Sequence, residues 1–188
     1  MPKYAQASLK KYSQDLWEKL PAPGGGSAAA FTACLGASLI GMVVNFSLGK
    51  PKYARFDKYL KTTFKSSKEL KDRFLKFVDD DVAAYKSGDI KRSLAVPLGT
   101  ARLSFEALML CPGLIGKSNK NLVSDISVAA ILLESALAAA IVNVDINLKS
   151  LGDKKLSAAL RKELYGKYKR ARAARAKIEE RVNDVIGR

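Results

Sequence analysis

Asp81 is the residue of this chain best placed to do chemistry. It stands in "FVDDDVAAY", residues 77–85. On a helix, positions 74, 77, 78, 81, 82 and 85 share one face. Every other member of that set is apolar, while Asp79 and Asp80 point toward solvent. A carboxylate on a core face costs free energy unless it is paired. Burial also lifts its pKa toward the range useful for proton transfer. The same placement serves structure alone if Asp81 pairs with a lysine or caps a neighbouring helix. Histidine is absent from all 188 residues. That removes the usual base near neutral pH, Ser-His and Cys-His nucleophile pairs, and His-rich metal sites. No metal ligand set is assigned, and an enzyme built on this chain must move protons through Asp, Glu, Lys or Tyr.

Three further groups could surround a ligand. Asn143 and Asn147 lie one turn apart on an Ala-rich helix, and Asn45 lies on a stripe of small residues on another. Buried amides demand partners. These three either bridge helices or read a polar heterocycle that has its own donors and acceptors. Gly24, Gly25, Gly26 and Ser27 open a helix after "PAP". Backbone N–H groups there can bind an anion or a carbonyl oxygen, although a tight turn with close packing explains the glycines equally well. No Gly-Lys-Ser/Thr follows and no strand precedes, so this is neither a P-loop nor a dinucleotide fingerprint. Asn121, Ser124 and Asp125 cluster where a later helix begins. Ser124 as N-cap and Asp125 in the first turn are adequate structural roles for that cluster.

The elements that must position these residues are helices. No segment alternates convincingly, and no hairpin signal separates alternating runs. The chain reads as all-α, a single domain over 1–188, with about six helices around a buried helix of small residues. Ser8 caps a first helix with Leu9, Tyr12, Leu16 and Leu20 on one side. The second runs from about Ser27 to Leu48, and the third from about Pro51 to Lys86 with an interruption near "KSSK". The fourth spans about Ile90 to Leu110, bent at Pro97. The fifth runs from Ser124 to about Leu148, and the last occupies about Lys154 to Ile186. Every fourth residue of the second helix is small or amide-bearing: Ala29, Ala33, Ala37, Gly41, Asn45, Gly49. Ser135, Ala139, Asn143 and Asn147 supply a counterpart on the fifth. That pattern, in an uncharged run, is known from membrane helices. Glu134 and Asp145 make the fifth helix a poor span, so a buried central helix is the better reading of the second.

Thirty-three Lys and Arg against 18 Asp and Glu give a net charge of +15. Such an excess favours anionic partners, or is simply a solvated lysine-rich surface. Nine basic residues fall between 154 and 175. Few exposed aromatics and no recognised binding motif count against nucleic acid as a partner. Cys34 and Cys111 both sit in apolar runs with no CxxC, which reads as buried free thiols in a reducing compartment. The N-terminus lacks the features of a signal peptide, so a cytoplasmic location is expected.

Together, "PAPGGGSAAA" with "LGASLIGMVVNFSLGKPKY", then "DDDVAAY", "AVPLGTA" and "GKSNKNLVSDISVAAILLESALAAAIVNVDINLKSLGD" resemble the cyclodeaminase/cyclohydrolase family. That family contains the C-terminal domain of formiminotransferase-cyclodeaminase and stand-alone methenyltetrahydrofolate cyclohydrolases. The resemblance covers nearly the whole chain. It implies an all-helical homodimer that needs no metal or tightly bound cofactor and takes a tetrahydrofolate derivative, polyglutamylated in cells, as substrate. The implied reaction is hydrolysis of the 5,10-methenyl bridge to 10-formyltetrahydrofolate, or the alternative, closure of 5-formimino-tetrahydrofolate with release of ammonia. It places Asp81 on the family's acidic residue, Gly24, Gly25, Gly26 and Ser27 on the opening loop, and Asn121, Ser124, Asp125, Asn143 and Asn147 on the distal block. The chain departs from the family between "AAYKS" and "LAVPL", where only "GDIKRS" stands in place of a longer helical extension. A non-catalytic folate binder and a basic nucleic-acid-binding helical protein are the readings from other classes.

Overall fold

The computed structural model describes residues 3–187. Six α-helices carry the fold: α1 (Leu9–Trp17), α2 (Gly25–Asn45), α3 (Asp57–Ser87), α4 (Ile90–Leu108), α5 (Val123–Leu151) and α6 (Lys154–Ile186). No strand occurs among the described residues. Short 3-10 turns at Pro51–Phe56 and Lys120–Leu122 lead into α3 and α5.

The helix α2 is the centre of the bundle, packed against α3, α4 and α5. By length and composition α2 and the stretch Lys120–Leu151 are each apolar enough to cross a membrane. Here Ala29, Ala30, Ala33, Ala37, Ile40, Val43 and Val44 of α2 are all buried in the protein's own core. Close approach to the neighbours comes from missing side chains. A Cβ at Gly36 would stand 2.6 Å from Leu133 Cγ and 3.2 Å from the Ala129 carbonyl oxygen on α5. The Cys34 thiol donates to the Lys71 carbonyl of α3 at 3.6 Å, and Gly41 lies against Ser67. These pairings run α2 antiparallel to both α3 and α5.

Several expectations change in the folded chain. The third helix is uninterrupted at "KSSK": Ser67 is buried against α2 and gives its hydroxyl to the Phe64 carbonyl, so it needs no break. The helix α4 continues through Pro97 as one element. On α1, Ser8 does cap the helix by accepting from the Lys11 N–H. Of its expected apolar side only Tyr12 is buried; Leu9, Leu16 and Leu20 are exposed. Of the expected counterpart stripe on α5 only the Asn143 end meets α2, 3.8 Å from a Cβ at Gly25. Ser135 and Ala139 are exposed, and Gly36 of α2 meets Ala129 and Leu133 instead. The helix α6 docks through Leu160, Leu164, Ala171, Ile178 and Val182 and leaves most of its basic residues outside; Arg175 is half-buried against Glu134 of α5.

Candidate active site

The start of α2, the end of α3, the start of α4 and the end of α5 converge on one cleft of about 400 Å³. Gly24, Gly25 and Gly26 form one wall, Asp81, Tyr85 and Gly88 a second, Ile90 and Ser93 a third, and Asn143 and Asn147 a fourth. One tight connection, Gly88–Asp89, brings the third and fourth helices together. Gly88 ends α3 with φ +67, a conformation glycine adopts without strain, and Asp89 caps α4 by accepting from the Lys91 and Arg92 N–H groups.

Asp81 is half-buried in this cleft. Burial pushes its pKa above the usual carboxylate range, and the backbone N–H of Ser27, which favours the charged form, offsets that in part. The carboxylate lies against the first turn of α2. A Cβ at Gly26 would stand 2.7 Å from Asp81 Cγ. Only glycine leaves room for the acid there. Gly24 provides the N-cap without a side-chain hydrogen bond, so the first N–H groups of α2 open toward the cleft beside a polarisable carboxylate. Asp81 thus takes one of the structural roles considered from sequence, serving the end of a neighbouring helix, while it remains accessible. Asp79 is not simply solvated as expected: its Oδ1 accepts the Tyr4 N–H at 2.6 Å. Asp80 pairs with Lys76.

Both cleft asparagines have an amide hydrogen committed. Asn143 Nδ2 donates to the Ala139 carbonyl at 2.9 Å, and Asn147 Nδ2 donates across to the Ser93 carbonyl of α4 at 2.7 Å. Asn147 therefore bridges helices, and both residues keep a carbonyl oxygen in the cleft. Ser27 is buried behind the glycines, where its hydroxyl donates to the Val78 carbonyl at 3.1 Å.

The remaining expected site residues are not brought to this cleft within one chain. Asn45 ends α2, exposed, roughly 30 Å from Gly25 at 1.5 Å per residue. Asn121 and Ser124, both exposed, and Asp125 gather at that same far end, where α5 starts. Ser124 is not the N-cap: the 3-10 turn runs directly into α5, and the side-chain cap of that turn is Asn119, which accepts from the Asn121 N–H. Reading the sequence missed Tyr85, Ile90 and Ser93 in the cleft. Tyr85 shares the face of Asp81 and was legible as a neighbour; Ile90 and Ser93 are set there only by the turn at Gly88.

Beside the cleft, the last turns of α5 and the first turns of α6 enclose a second recess of about 700 Å³ that includes Lys149, Lys154, Ser157 and Arg161. Its one carboxylate, Asp145, is already engaged by Arg161 Nε at 2.7 Å and the Tyr165 hydroxyl at 2.9 Å. The recess keeps an excess of positive charge. No cluster of three His, Cys, Asp or Glu side chains suited to a metal occurs among the described residues.

An all-helical bundle with an acid held over a glycine-rich helix start defines a narrow class. A profile of the family described as formiminotransferase-cyclodeaminase matches residues 8–88 and 87–166. The two pieces meet at the turn between α3 and α4. The chain is 30% identical to the methenyltetrahydrofolate cyclohydrolase of Methylorubrum extorquens, covering 95% of this chain and 97% of that protein. It is 29% identical to the formimidoyltransferase-cyclodeaminase of Rattus norvegicus over 78% of this chain, which spans 31% of that longer protein. The crystal structure of formiminotetrahydrofolate cyclodeaminase from Thermotoga maritima superposes with a TM-score of 0.77 at 25% identity, covering 96% of each chain. The chain belongs to the formiminotransferase-cyclodeaminase family.

Proposed function

We propose that this protein is a methenyltetrahydrofolate cyclohydrolase, with Asp81 as its proton-transfer group. The observation that carries the reading is the half-buried, glycine-bounded carboxylate in a chain that matches a protein of that name end to end. The methenyl bridge is a delocalised cation, which a carboxylate favours electrostatically. Water adds to the bridge carbon as Asp81 takes one of its protons. The C–N5 bond then breaks, N5 receives a proton from Asp81, and the new hydroxyl loses its own proton to solvent, leaving 10-formyltetrahydrofolate. A carboxylic acid with a raised pKa suits both halves of that transfer. The reaction needs no bound cofactor. The Gly25 and Gly26 N–H groups and the Asn143 and Asn147 carbonyl oxygens are placed to hold the polar pterin. Closure of 5-formimino-tetrahydrofolate is the second reading, favoured by the likeness to the Thermotoga maritima structure. One assay separates the two. Following methenyl absorbance from each substrate, we expect decay from the methenyl compound. Growth from the formimino compound alone would replace the first reading with the second, and no change from either would leave a binder without turnover.

In cells the substrate carries a γ-linked polyglutamate tail. The recess lined by Lys149, Lys154 and Arg161 shares the end of α5 with the cleft, and its charge suits such a polyanion. In the same assay a pentaglutamate substrate is expected to show a lower KM than the monoglutamate at low salt, with the difference fading as salt is added. Equal KM values at low salt would remove the tail from that recess.

The active unit is a homodimer. The exposed sides of α2 and α5 carry Leu35, Val128, Ile131, Val142 and Ile146, the last two 59% and 60% exposed. No charged residue occurs in α2. A two-fold axis lying across these helices sets the start of α2 in one copy opposite its end in the other. Asn45, Asn121, Ser124 and Asp125 then serve the cleft of the partner copy. The two buried free cysteines, Cys34 and Cys111, suit the cytoplasm.

A further inference from the structure

We propose that Tyr12 is a positioning residue for Asp81, acting through Ser27; this rests on reading Asp81 as the proton-transfer group. Tyr12 lies on α1, outside the cleft. Its ring is held edge-on by Tyr4 and by Phe31, each centroid 5.5 Å away. Its hydroxyl is 3.2 Å from Ser27 Oγ, and Ser27 Oγ donates to the Val78 carbonyl. A serine hydroxyl carries one proton. That proton goes to Val78, so Tyr12 is the donor between the two hydroxyls. Ser27 is pinned from two sides, by α1 and by α3; it follows Gly26, against which the Asp81 carboxylate lies, and its backbone N–H favours the charged form of that acid.

The rest of the N-terminal segment braces the same turn of α3. The Tyr4 N–H donates to Asp79 Oδ1, the Tyr4 hydroxyl donates to Asp15 at 2.9 Å, and Lys11 pairs with Asp15 at 2.8 Å. Contacts from α1 and its approach thus fall on residues 78 and 79 of α3, within one turn of the carboxylate. A buried tyrosine hydroxyl can be satisfied by any nearby carbonyl. This one instead meets the residue whose amide faces Asp81. Burial pushes the Tyr12 pKa up by more than the hydrogen bond with Ser27 lowers it, and the charge of Asp81 adds a smaller rise, so Tyr12 stays a donor at neutral pH. The titratable groups around Asp81 are Tyr12 from α1 and Tyr85 one turn along α3. The walls from α2, α4 and α5 present Gly26, Ile90, Ser93, Asn143 and Asn147, none of which titrates.

The test uses the full chain and 5,10-methenyltetrahydrofolate. Tyr12→Phe keeps the ring and removes the donor. Its kcat is expected to fall about 10-fold with KM held within about twofold. The acid limb of its pH–rate profile is expected to move to higher pH, because a carboxylate whose donor is loosely held is easier to protonate. Ser27→Ala removes the receiving oxygen and should reproduce both changes at a similar KM, and the double variant should be no worse than either single one. Carboxyl carbon NMR of Asp81 should show the same upward move without any turnover. Unchanged kcat and acid limb in both variants would overturn the proposal. So would a rise in KM at constant kcat, or a full further loss when Tyr12→Phe is added to Asp81→Asn. If the unmodified protein turns over neither folate, the reading of Asp81 fails, and the NMR titration still decides whether Tyr12 sets its carboxyl.

Discussion

At Asp81 two effects oppose one another. Desolvation favours the neutral acid, and the start of α2 with the Ser27 N–H favours the anion. Burial is the larger, so the folded pKa lies above that of the unfolded chain. A raised carboxyl pKa means that the native state holds the proton more tightly. Its contribution to stability is complete below the unfolded carboxyl pKa and is lost as pH rises through the folded value. At pH 7 the native protein therefore carries an unfavourable charge, and Asp81→Asn removes it. The variant is expected to melt at a higher temperature than the parent at pH 7, with the gap closing toward pH 4. Its turnover should fall by about 10²-fold or more, the range for loss of a general acid or base, with folate binding retained. Scanning calorimetry across pH and the methenyl assay check the two halves. A variant that melts lower at pH 7, or that turns over normally, would take Asp81 out of the role. The position of Asp81 on an otherwise apolar face was legible from the sequence. The Ser27 amide and the Tyr12 relay were not, because they join Asp81 to residues 54 and 69 positions away in the chain.

Among the elements, α2 shows how the absence of side chains positions chemistry. Gly24 and Gly26 are two residues apart at the same helix start, yet their surroundings differ. Nothing lies within 4 Å of a Cβ at Gly24, and its φ of −137 suits any residue. A Cβ at Gly26 meets Asp81. Gly24→Ala is expected to leave stability near the parent's. Gly26→Ala is expected to displace the carboxylate, lower kcat at least about 10-fold and cost about 1–3 kcal/mol, as overpacking does. Chemical denaturation with the activity assay distinguishes them, and equal effects at the two positions would contradict the packing described. The triple glycine is legible in the sequence as a helix start. Which glycine is indispensable depends on where α3 passes.

For the molecule as a whole, the residues expected to form one site lie at two ends of the bundle. Gly24–Gly26, Asp81, Asn143 and Asn147 meet at one end; Asn45, Asn121, Ser124 and Asp125 lie at the other, roughly 30 Å along α2. The isologous dimer proposed above would join them, and light scattering is then expected to report twice the mass of one chain. Mixing the inactive Asp81→Asn chain with an inactive Asp125→Asn chain should then restore about a quarter of the parent activity, because half the dimers are hybrids and each hybrid keeps one intact site. No recovery on mixing, with hybrids demonstrated, would confine the site to a single chain.

The sequence by itself determined the helices, their order, the family, and the odd carboxylate on an apolar face. These follow from local rules: 3.6-residue periodicity, glycine and proline breaks, and caps that act within four residues. It also implied a continuous helix through the small residues of α2. Only the tertiary structure decided that Asp81 rests on Gly26, that Asn147 spends its amide on Ser93, that Ser135 and Ala139 of the α5 stripe face outward, and that Asn45 stands far from the acid. Periodicity fixes which residues share a face of one helix. It carries no information on which neighbour that face will meet, because the choice depends on packing between segments distant in the chain.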